Sequence, residues 1–315
     1  MRIEKLNQTT KKNLLEDLLK RSPNSYEMYE EQVKAILDNV KKRGDEALFE
    51  YTEKFDGFCL DQQSVLVKEE EIEEAYTQVD RGLIEIIRKA LKNIETYHEK
   101  QRQYSWFDSK PDGTILGQKV TALDRVGVYV PGGKAAYPSS VLMNIVPAKT
   151  AGVREIIMVT PPGKDGKVTP TTLVAAKEAG ADKIYKVGGA QAIAALAYGT
   201  ESISKVDKIV GPGNIYVALA KKAVYGHVSI DSIAGPSEIL VLADETANPR
   251  YVAADLLSQA EHDEMASAIL VTVSMELAEK VSEQTELFIS QLSRGEIIRK
   301  SLDNYGHILV ADTMD

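Results

Sequence analysis

The sequence from about Thr121 onward alternates short runs of β-branched residues with glycine turns and alanine-rich stretches of helical spacing. Alternation of this kind predicts a parallel sheet covered by helices. The repetition is one of architecture, since the individual sequences differ. Four strand–turn–helix units follow one another, and they begin at "RVGVYVPGG", "REIIMVTPPG", "DKIYKVGG" and "DKIVGPG".

A second alternating series follows a break near "SIDSIAGPSE". Its apolar runs are separated by stretches of helical spacing, so they predict a further parallel sheet flanked by helices. The runs are "EILVLAD", "SAILVTV" and "GHILVAD".

The first hundred residues show helical spacing throughout, with Ser25 predicted to cap one helix and Gly57 to end it. We therefore predict an α/β protein with two domains, the second completed by these early helices. The expected parts are an N-terminal helical arm at residues 1–25, an α/β domain formed by residues 26–115 together with 236–315, and an α/β domain at residues 116–235.

The overall charge restricts the classes of partner. The chain has 38 basic and 47 acidic side chains and a net charge of −9, which argues against a nucleic-acid binder. No window reaches the ~18 unbroken apolar residues that a membrane span needs, and the polar N-terminus lacks the apolar core of a secretion signal. Cys59 is the only cysteine, so it is interpreted as an inert packing thiol in a reducing, cytoplasmic compartment.

Glycine turns are expected at the carboxyl ends of the strands, where parallel sheets collect ligands. Helix N-termini that follow such turns offer free N–H groups to an anion. Five turns are expected there: "YVPGGKAAYPSS", "VTPPGKDG", "KVGGAQA", "VGPGNIY" and "IAGPSE". One polar residue stands in or beside each of four of them: Tyr129, Gln191, Asn214 and Ser237.

The same glycines also allow a simpler interpretation. The chain contains no GxGxxG, and "GPGN" lacks the third glycine, so the motif alone gives nucleotide binding only weak support. Each turn could equally be a tight strand–helix connection that binds nothing.

The stretch "SQAEHD" holds one of the chain's four histidines. Gln259 and His262 are three residues apart, a spacing that puts Cβ atoms ~5–6 Å apart on one face of a helix. Their amide oxygen and imidazole nitrogen could bind one metal ion, although zinc more often takes histidine, thiolate or carboxylate. Two ligands do not complete a site, so a capping or structural role for His262 stays open as the alternative.

Five motifs in the same order resemble those of the histidinol dehydrogenase family: "VGVYVPGG", "VGGAQAIAALAYGTES", "VDKIVGPGN", "AGPSEILVLAD" and "DLLSQAEHD". The resemblance implies incomplete Rossmann-like domains with parallel sheets flanked by helices, which fits the missing GxGxxG. It implies a zinc-dependent, NAD-linked homodimer that oxidises L-histidinol to L-histidine through a bound aldehyde. These are the last steps of histidine biosynthesis.

The resemblance also implies roles for particular residues. Ser237 matches a substrate-contacting serine. Gln259 and His262 match two of the four zinc ligands and also adjoin the substrate. Positions that hold NAD match three residues here: Tyr129, Gln191 and Asn214.

The family's catalytic Glu-His pair and its other two zinc ligands, an aspartate and a histidine, are expected after Asp315. No catalytic residue is therefore assigned within the chain. We expect a C-terminally truncated histidinol dehydrogenase with little or no turnover as it stands, because loss of a general base alone costs about two to four orders of magnitude in rate.

Two other interpretations stay open. The chain could be a non-catalytic module of histidinol-dehydrogenase-like fold, kept for NAD binding or assembly. It could also be another NAD-dependent alcohol dehydrogenase of the same fold that acts on a different amino alcohol.

Overall fold

The computed structural model describes residues 1–19, 27–132, 138–233 and 235–314. By its internal contacts the chain divides into two compact units. The large unit is Glu27–Ala234, and the small unit joins Met1–Tyr26 to Gly235–Asp315.

Helices and strands alternate through most of the described chain. The helices are α1 (Gln8–Leu19), α2 (Glu27–Arg43), α3 (Asp45–Asp56), α4 (Glu69–Gln78), α5 (Arg81–Glu99), α6 (Pro138–Thr150), α7 (Pro170–Ala179), α8 (Gly189–Tyr198), α9 (Ile215–Val224), α10 (Pro249–Ala260), α11 (Met275–Ile289) and α12 (Gly295–Tyr305). The strands are β1 (Arg2–Lys5), β2 (Trp106–Ser109), β3 (Ile115–Gln118), β4 (Arg125–Tyr129), β5 (Glu155–Val159), β6 (Lys183–Tyr185), β7 (Lys208–Val210), β8 (Ser229–Ile230), β9 (Glu238–Ala243), β10 (Ser267–Thr272) and β11 (Gly306–Val310).

The large unit contains a five-stranded sheet in the order β6-β5-β4-β7-β8. Every strand pair in it is parallel. The four predicted strand–turn–helix units are β4–α6, β5–α7, β6–α8 and β7–α9. The prediction of an α/β fold with parallel sheets flanked by helices is therefore confirmed.

Helices α2 to α5 pack in the large unit, whereas the sequence-based boundaries joined residues 26–115 to 236–315. Helix α5 buries Ile84 and Ile87 in the same core as Leu142 of α6. Each such side chain contributes about 1.5–3 kcal/mol when it is fully buried. An amphipathic helix shows which face it will bury, but not the partner against which it buries it. Ser25 lies outside the described residues.

The small unit has its own parallel sheet, in the order β1-β11-β10-β9. Its core brings Leu256 of α10 and Leu270 of β10 together with Ile308 of β11. The N-terminal segment, expected to be a helical arm, begins with strand β1, whose Arg2 pairs with His307. β1 therefore covers β11, which would otherwise be an open sheet edge.

An antiparallel hairpin, β2–β3, follows the region of helical spacing. Helix α5 ends at Glu99. The hairpin turns at Asp112 and Gly113, where Gly113 has a φ of 85° and the Lys110 N–H donates to the Thr114 carbonyl at 2.8 Å. Asp-Gly is a strong hairpin signal, and it outweighs weak helical periodicity.

The helices and the single cysteine were also subjects of sequence-based expectations. None of the helices in the described ranges is long and apolar enough to cross a membrane. Cys59, interpreted from the sequence as a packing thiol, is exposed. That interpretation is wrong, because Cys59 follows the end of α3 and the neighbouring Leu60 takes the buried position.

Candidate functional site: a cavity at the carboxyl edge of the large sheet

The strand order of the large unit reverses at β4, which has β5 on one side and β7 on the other. Connections that leave the carboxyl ends of strands at such a point diverge, and the crevice between them is the usual ligand site of open parallel sheets. A cavity of about 850 Å³ is lined by connections that follow β4, β5, β6 and β7 and by the end of α3. Three of the four polar turn residues predicted to converge on one ligand line it together: Tyr129, Gln191 and Asn214.

Tyr129 ends β4, and only 3% of its surface is exposed. The backbone N–H of Gly189, at the start of α8, donates to its phenolic oxygen at 3.2 Å. Burial raises the pKa of the Tyr129 phenol to about 12. The phenol is therefore neutral at physiological pH and keeps a proton that it can donate.

Gln191 lies in the first turn of α8 and is 1% exposed. Neither Nε2 nor Oε1 of its amide has a hydrogen-bond partner in the described chain. A buried amide without partners costs about 1–3 kcal/mol for each unsatisfied group. Because Gln191 lines the cavity, the amide is suited to a ligand that offers one acceptor and one donor side by side.

Asn214 connects β7 to α9 and caps that helix, since its Oδ1 accepts a hydrogen bond from the Val217 N–H at 3.2 Å. Its Nδ2 group remains to donate to a ligand. Asn214 therefore caps α9 through Oδ1 and can bind a ligand through Nδ2, and an informative substitution changes only one of these two roles.

An ion pair between a buried lysine and a partly exposed aspartate holds the turn that precedes Asn214. The Lys221 ammonium is 3% exposed, pairs with Asp231 and donates to the Gly211 carbonyl at 2.8 Å. The Asp231 carboxylate accepts from the Gly211 N–H at 2.8 Å. Gly211 has a φ of 113°, and a Cβ there would collide with the Tyr129 backbone. Lys221 and Asp231 therefore hold the carbonyl and the N–H of Gly211, and they keep Gly211 packed against the strand that carries Tyr129.

Asp56 lines the same cavity at the last position of α3. Its Oδ2 is buried without a hydrogen-bond partner, and burial raises the pKa of the carboxyl to about 6. No sequence motif marks Asp56 or the Lys221 pair, because each lies in an ordinary helical or polar stretch. A buried environment, which only the fold creates, distinguishes them.

We expect Asp56→Asn to stabilise the chain above about pH 6. The folded state holds the Asp56 proton up to about pH 6, whereas the unfolded state releases it near pH 3.9. The folded state therefore binds more protons in this window, and wild-type stability falls as pH rises through it. Asparagine removes that loss, a gain on the order of 1 kcal/mol after allowance for solvent screening.

Urea unfolding at pH 8 and at pH 4 measures this gain, which should vanish at the lower pH. Asp61→Asn is the control, because hydrogen bonds from Ser64 lower the pKa of the Asp61 carboxyl. Its effect at pH 8 should have the opposite sign. Equal stability of wild type and Asp56→Asn at pH 8 would contradict the prediction.

The second set of predicted site residues belongs to the small unit and lies at the amino edge of its sheet. Ser237 immediately precedes β9, and its carbonyl accepts from the Ser267 N–H at 3.0 Å. Helix α10 leads back from β9 to the start of β10, so its end reaches the same edge. The expectation that "IAGPSE" sits at a carboxyl edge is wrong for β9, because the turn enters that strand.

Gln259 and His262 do not both lie within a helix. Helix α10 ends at Ala260, and His262 follows in the closing turn, where its N–H donates to the Gln259 carbonyl at 3.0 Å. Gln259 is half-buried and His262 is exposed, while the Arg294 guanidinium donates to the His262 carbonyl at 3.2 Å. The two side chains therefore flank one turn at the amino edge of the sheet.

The donors in the described residues do not by themselves form a zinc site. No group of three or more histidine, cysteine, aspartate or glutamate residues there is arranged to hold a metal ion. An amide and an imidazole supply two ligands, whereas protein zinc sites use three or four protein ligands.

The fold and the cavity define a class: an α/β protein with two parallel-sheet units, one of which carries a ligand cavity where its strand order reverses. Within that class, the chain belongs to the histidinol dehydrogenase family, whose family model matches residues 19–315.

Relatives and a solved structure agree with this assignment. The chain is 62% identical to histidinol dehydrogenase of Bacillus subtilis (strain 168) over 282 residues, covering 90% of this chain and 66% of that protein. It is 61% identical to the enzyme of Geobacillus kaustophilus, covering 91% and 68%. The crystal structure of histidinol dehydrogenase from Elizabethkingia anophelis superposes with a TM-score of 0.89 at 38% identity, covering 99% of this chain and 71% of that one. The chain thus spans about two thirds of the length of these curated relatives.

Proposed function

We propose that the chain belongs to an NAD-linked oxidoreductase that converts L-histidinol to L-histidine through bound histidinaldehyde, in the histidine biosynthesis of the cytoplasm. Family membership supports the reaction. The observation that carries NAD binding is the buried, unpartnered amide of Gln191, in a cavity that Tyr129 and Asn214 also line.

The chain's own residues bind and orient the dinucleotide in this proposal. Gln191 donates to and accepts from it, Asn214 donates through Nδ2, and the neutral Tyr129 phenol keeps the Gly189 N–H in place. The first turn of α8 offers backbone N–H groups for the pyrophosphate. NAD supplies the hydride acceptor of the oxidation.

We assign the substrate and zinc to Ser237, Gln259 and His262 of the small unit. Gln259 and His262 are two zinc ligands in this assignment, and the remaining ligands come from elsewhere in a homodimeric enzyme. We propose that the residues of this chain bind NAD.

Calorimetric titration of the 315-residue chain with NAD tests the proposal. We expect saturable binding of one NAD per chain, with a dissociation constant on the order of 0.1–1 mM, as for a cofactor that exchanges during the cycle. Absence of saturable binding up to roughly 10 mM would overturn the assignment of the cavity.

Native mass spectrometry separates the enzyme from the non-catalytic alternative. Bound zinc and a dimer would support descent from a working dehydrogenase. NAD binding with neither zinc nor a dimer would favour a module that keeps the fold for cofactor binding or assembly.

A further inference from the structure

We propose that the C-terminal end of α3 binds the adenosine half of the dinucleotide, with Asp56 accepting hydrogen bonds from the adenosine ribose hydroxyls and rejecting a 2′-phosphate. Asp56 thereby selects NAD over NADP. This inference rests on the proposed NAD site, and it adds a specificity-determining residue that the sequence motifs do not contain.

The position of Asp56 has no structural explanation. Its Oδ2 is buried without a partner, and no described residue gives its carboxyl a hydrogen bond or an ion pair. It stands at the C-terminal end of a helix, where the macrodipole disfavours a negative charge. Polar groups that violate local rules in this way are expected at functional sites. A ligand with uncharged donors supplies what the fold does not.

The chemistry of the group selects the ribose among the parts of a dinucleotide. A carboxylate accepts hydrogen bonds and repels phosphate, so it suits neither the pyrophosphate nor a 2′-phosphate. The vicinal hydroxyls of a ribose present two donors on adjacent carbons, which match the two oxygens of one carboxylate. An acidic residue meets the ribose 2′-hydroxyl in the same way in dinucleotide-binding folds of other topology.

Phe55, which adjoins Asp56, indicates that this ribose is the one of adenosine. Phe55 lines the cavity beside Asp56, and 52% of its surface is exposed. Its ring stacks on Tyr51 with centroids 5.7 Å apart and an interplanar angle of 8°. The Lys54 ammonium lies 5.4 Å from the centroid of the same ring, and because Lys54 is exposed it can give way to a base. Stacking of a base on an aromatic ring contributes about 1–3 kcal/mol. Adenine on Phe55 brings its ribose to the adjacent carboxylate.

Lys164 also lines the cavity and is exposed, so it needs a separate test. An ammonium attracts the pyrophosphate, which both cofactors share, as well as a 2′-phosphate. Lys167, on the same loop, donates to Glu74 at 2.8 Å. Selectivity that came from Lys164 would favour NADP, whereas selectivity from Asp56 favours NAD.

The test compares dissociation constants of the full 315-residue chain for NAD, NADP and 2′-deoxy-NAD, in which the adenosine ribose lacks its 2′-hydroxyl. We expect wild type to bind NAD at least about tenfold more tightly than either analogue, and Asp56→Asn to reduce both ratios by about tenfold. Lys164→Ala should weaken NAD binding without lowering the preference for NAD over NADP. Thermal unfolding of each variant verifies that it is folded.

Each outcome decides the proposal. If wild type binds NAD and Asp56→Asn leaves the two ratios unchanged, the ribose assignment is wrong while the NAD site stands. If Asp56→Asn changes the NADP ratio but not the 2′-deoxy ratio, Asp56 acts by repulsion alone and the hydrogen bonds are refuted. If wild type binds none of the three, both this inference and the NAD site are overturned.

Discussion

Replacement of Lys221 by alanine is expected to lower the free energy of unfolding of the large unit by about 1–3 kcal/mol. The Lys221 ammonium is 3% exposed, pairs with Asp231 and donates to the Gly211 carbonyl. The variant leaves the Gly211 carbonyl without this donor and removes a buried side chain, whereas the partly exposed Asp231 carboxylate keeps the Gly211 N–H and water as partners. Urea unfolding followed by far-ultraviolet circular dichroism measures the change.

The adjacent lysine supplies a matched control. Lys222 pairs with Glu30 at 2.9 Å, and both side chains are more than a third exposed. Lys222→Ala should therefore cost less than about 1 kcal/mol. The double variant Lys221→Ala, Asp231→Ala should cost less than the sum of the two single changes, because the partners interact directly. Equal losses for Lys221→Ala and Lys222→Ala would refute the structural role of the Lys221–Asp231 ion pair.

Lys221→Ala should also weaken NAD binding, since Gly211 begins the turn that leads to Asn214. Asn214→Ser retains an acceptor for the N-cap of α9 but removes the donating amide. It should weaken NAD binding while leaving stability nearly unchanged. The two variants together separate placement of the turn from direct contact with the cofactor.

The arrangement of Tyr129, Gln191 and Asn214 could be predicted from the sequence because each ends or follows a parallel strand. The carboxyl ends of such strands meet at one edge of a sheet, so the topology alone brings the three together. Ser237 shows the limit of this reasoning. It lies in a similar glycine turn, but the turn enters β9, so the residue lies at the amino edge of a different sheet.

The packing partners of helices and the burial of charged residues could not be predicted from the sequence, because both depend on tertiary structure. The apolar stripe of α5 indicated a buried face, yet only the fold reveals that Ile87 packs in the core of the large unit. Asp56 and Lys221 are ordinary charged residues in the sequence, and their burial depends on segments that are distant along the chain. The Asp112-Gly113 turn did carry a local signal, which helical periodicity on its N-terminal side obscured.

Gln191→Leu is expected to weaken NAD binding by about 30- to 150-fold, because the ligand loses two hydrogen bonds of about 1–1.5 kcal/mol each. Leucine has a similar volume and no polar atoms. The Gln191 amide has no partner in the described chain, so its removal costs no hydrogen bond within the fold. The free energy of unfolding without NAD should therefore stay the same or rise by about 1 kcal/mol.

This combination of weaker binding and undiminished stability identifies a residue kept for its ligand. Gln101→Leu is the control for the chemical change, since Gln101 is exposed beyond the end of α5 and bonds only to His98 at 2.7 Å through its side chain. It should leave NAD binding unaltered. Calorimetric titration and urea unfolding of both variants test the pair. A destabilised Gln191→Leu chain would mean that the amide serves the fold, and unchanged affinity would remove the observation on which the cofactor site depends.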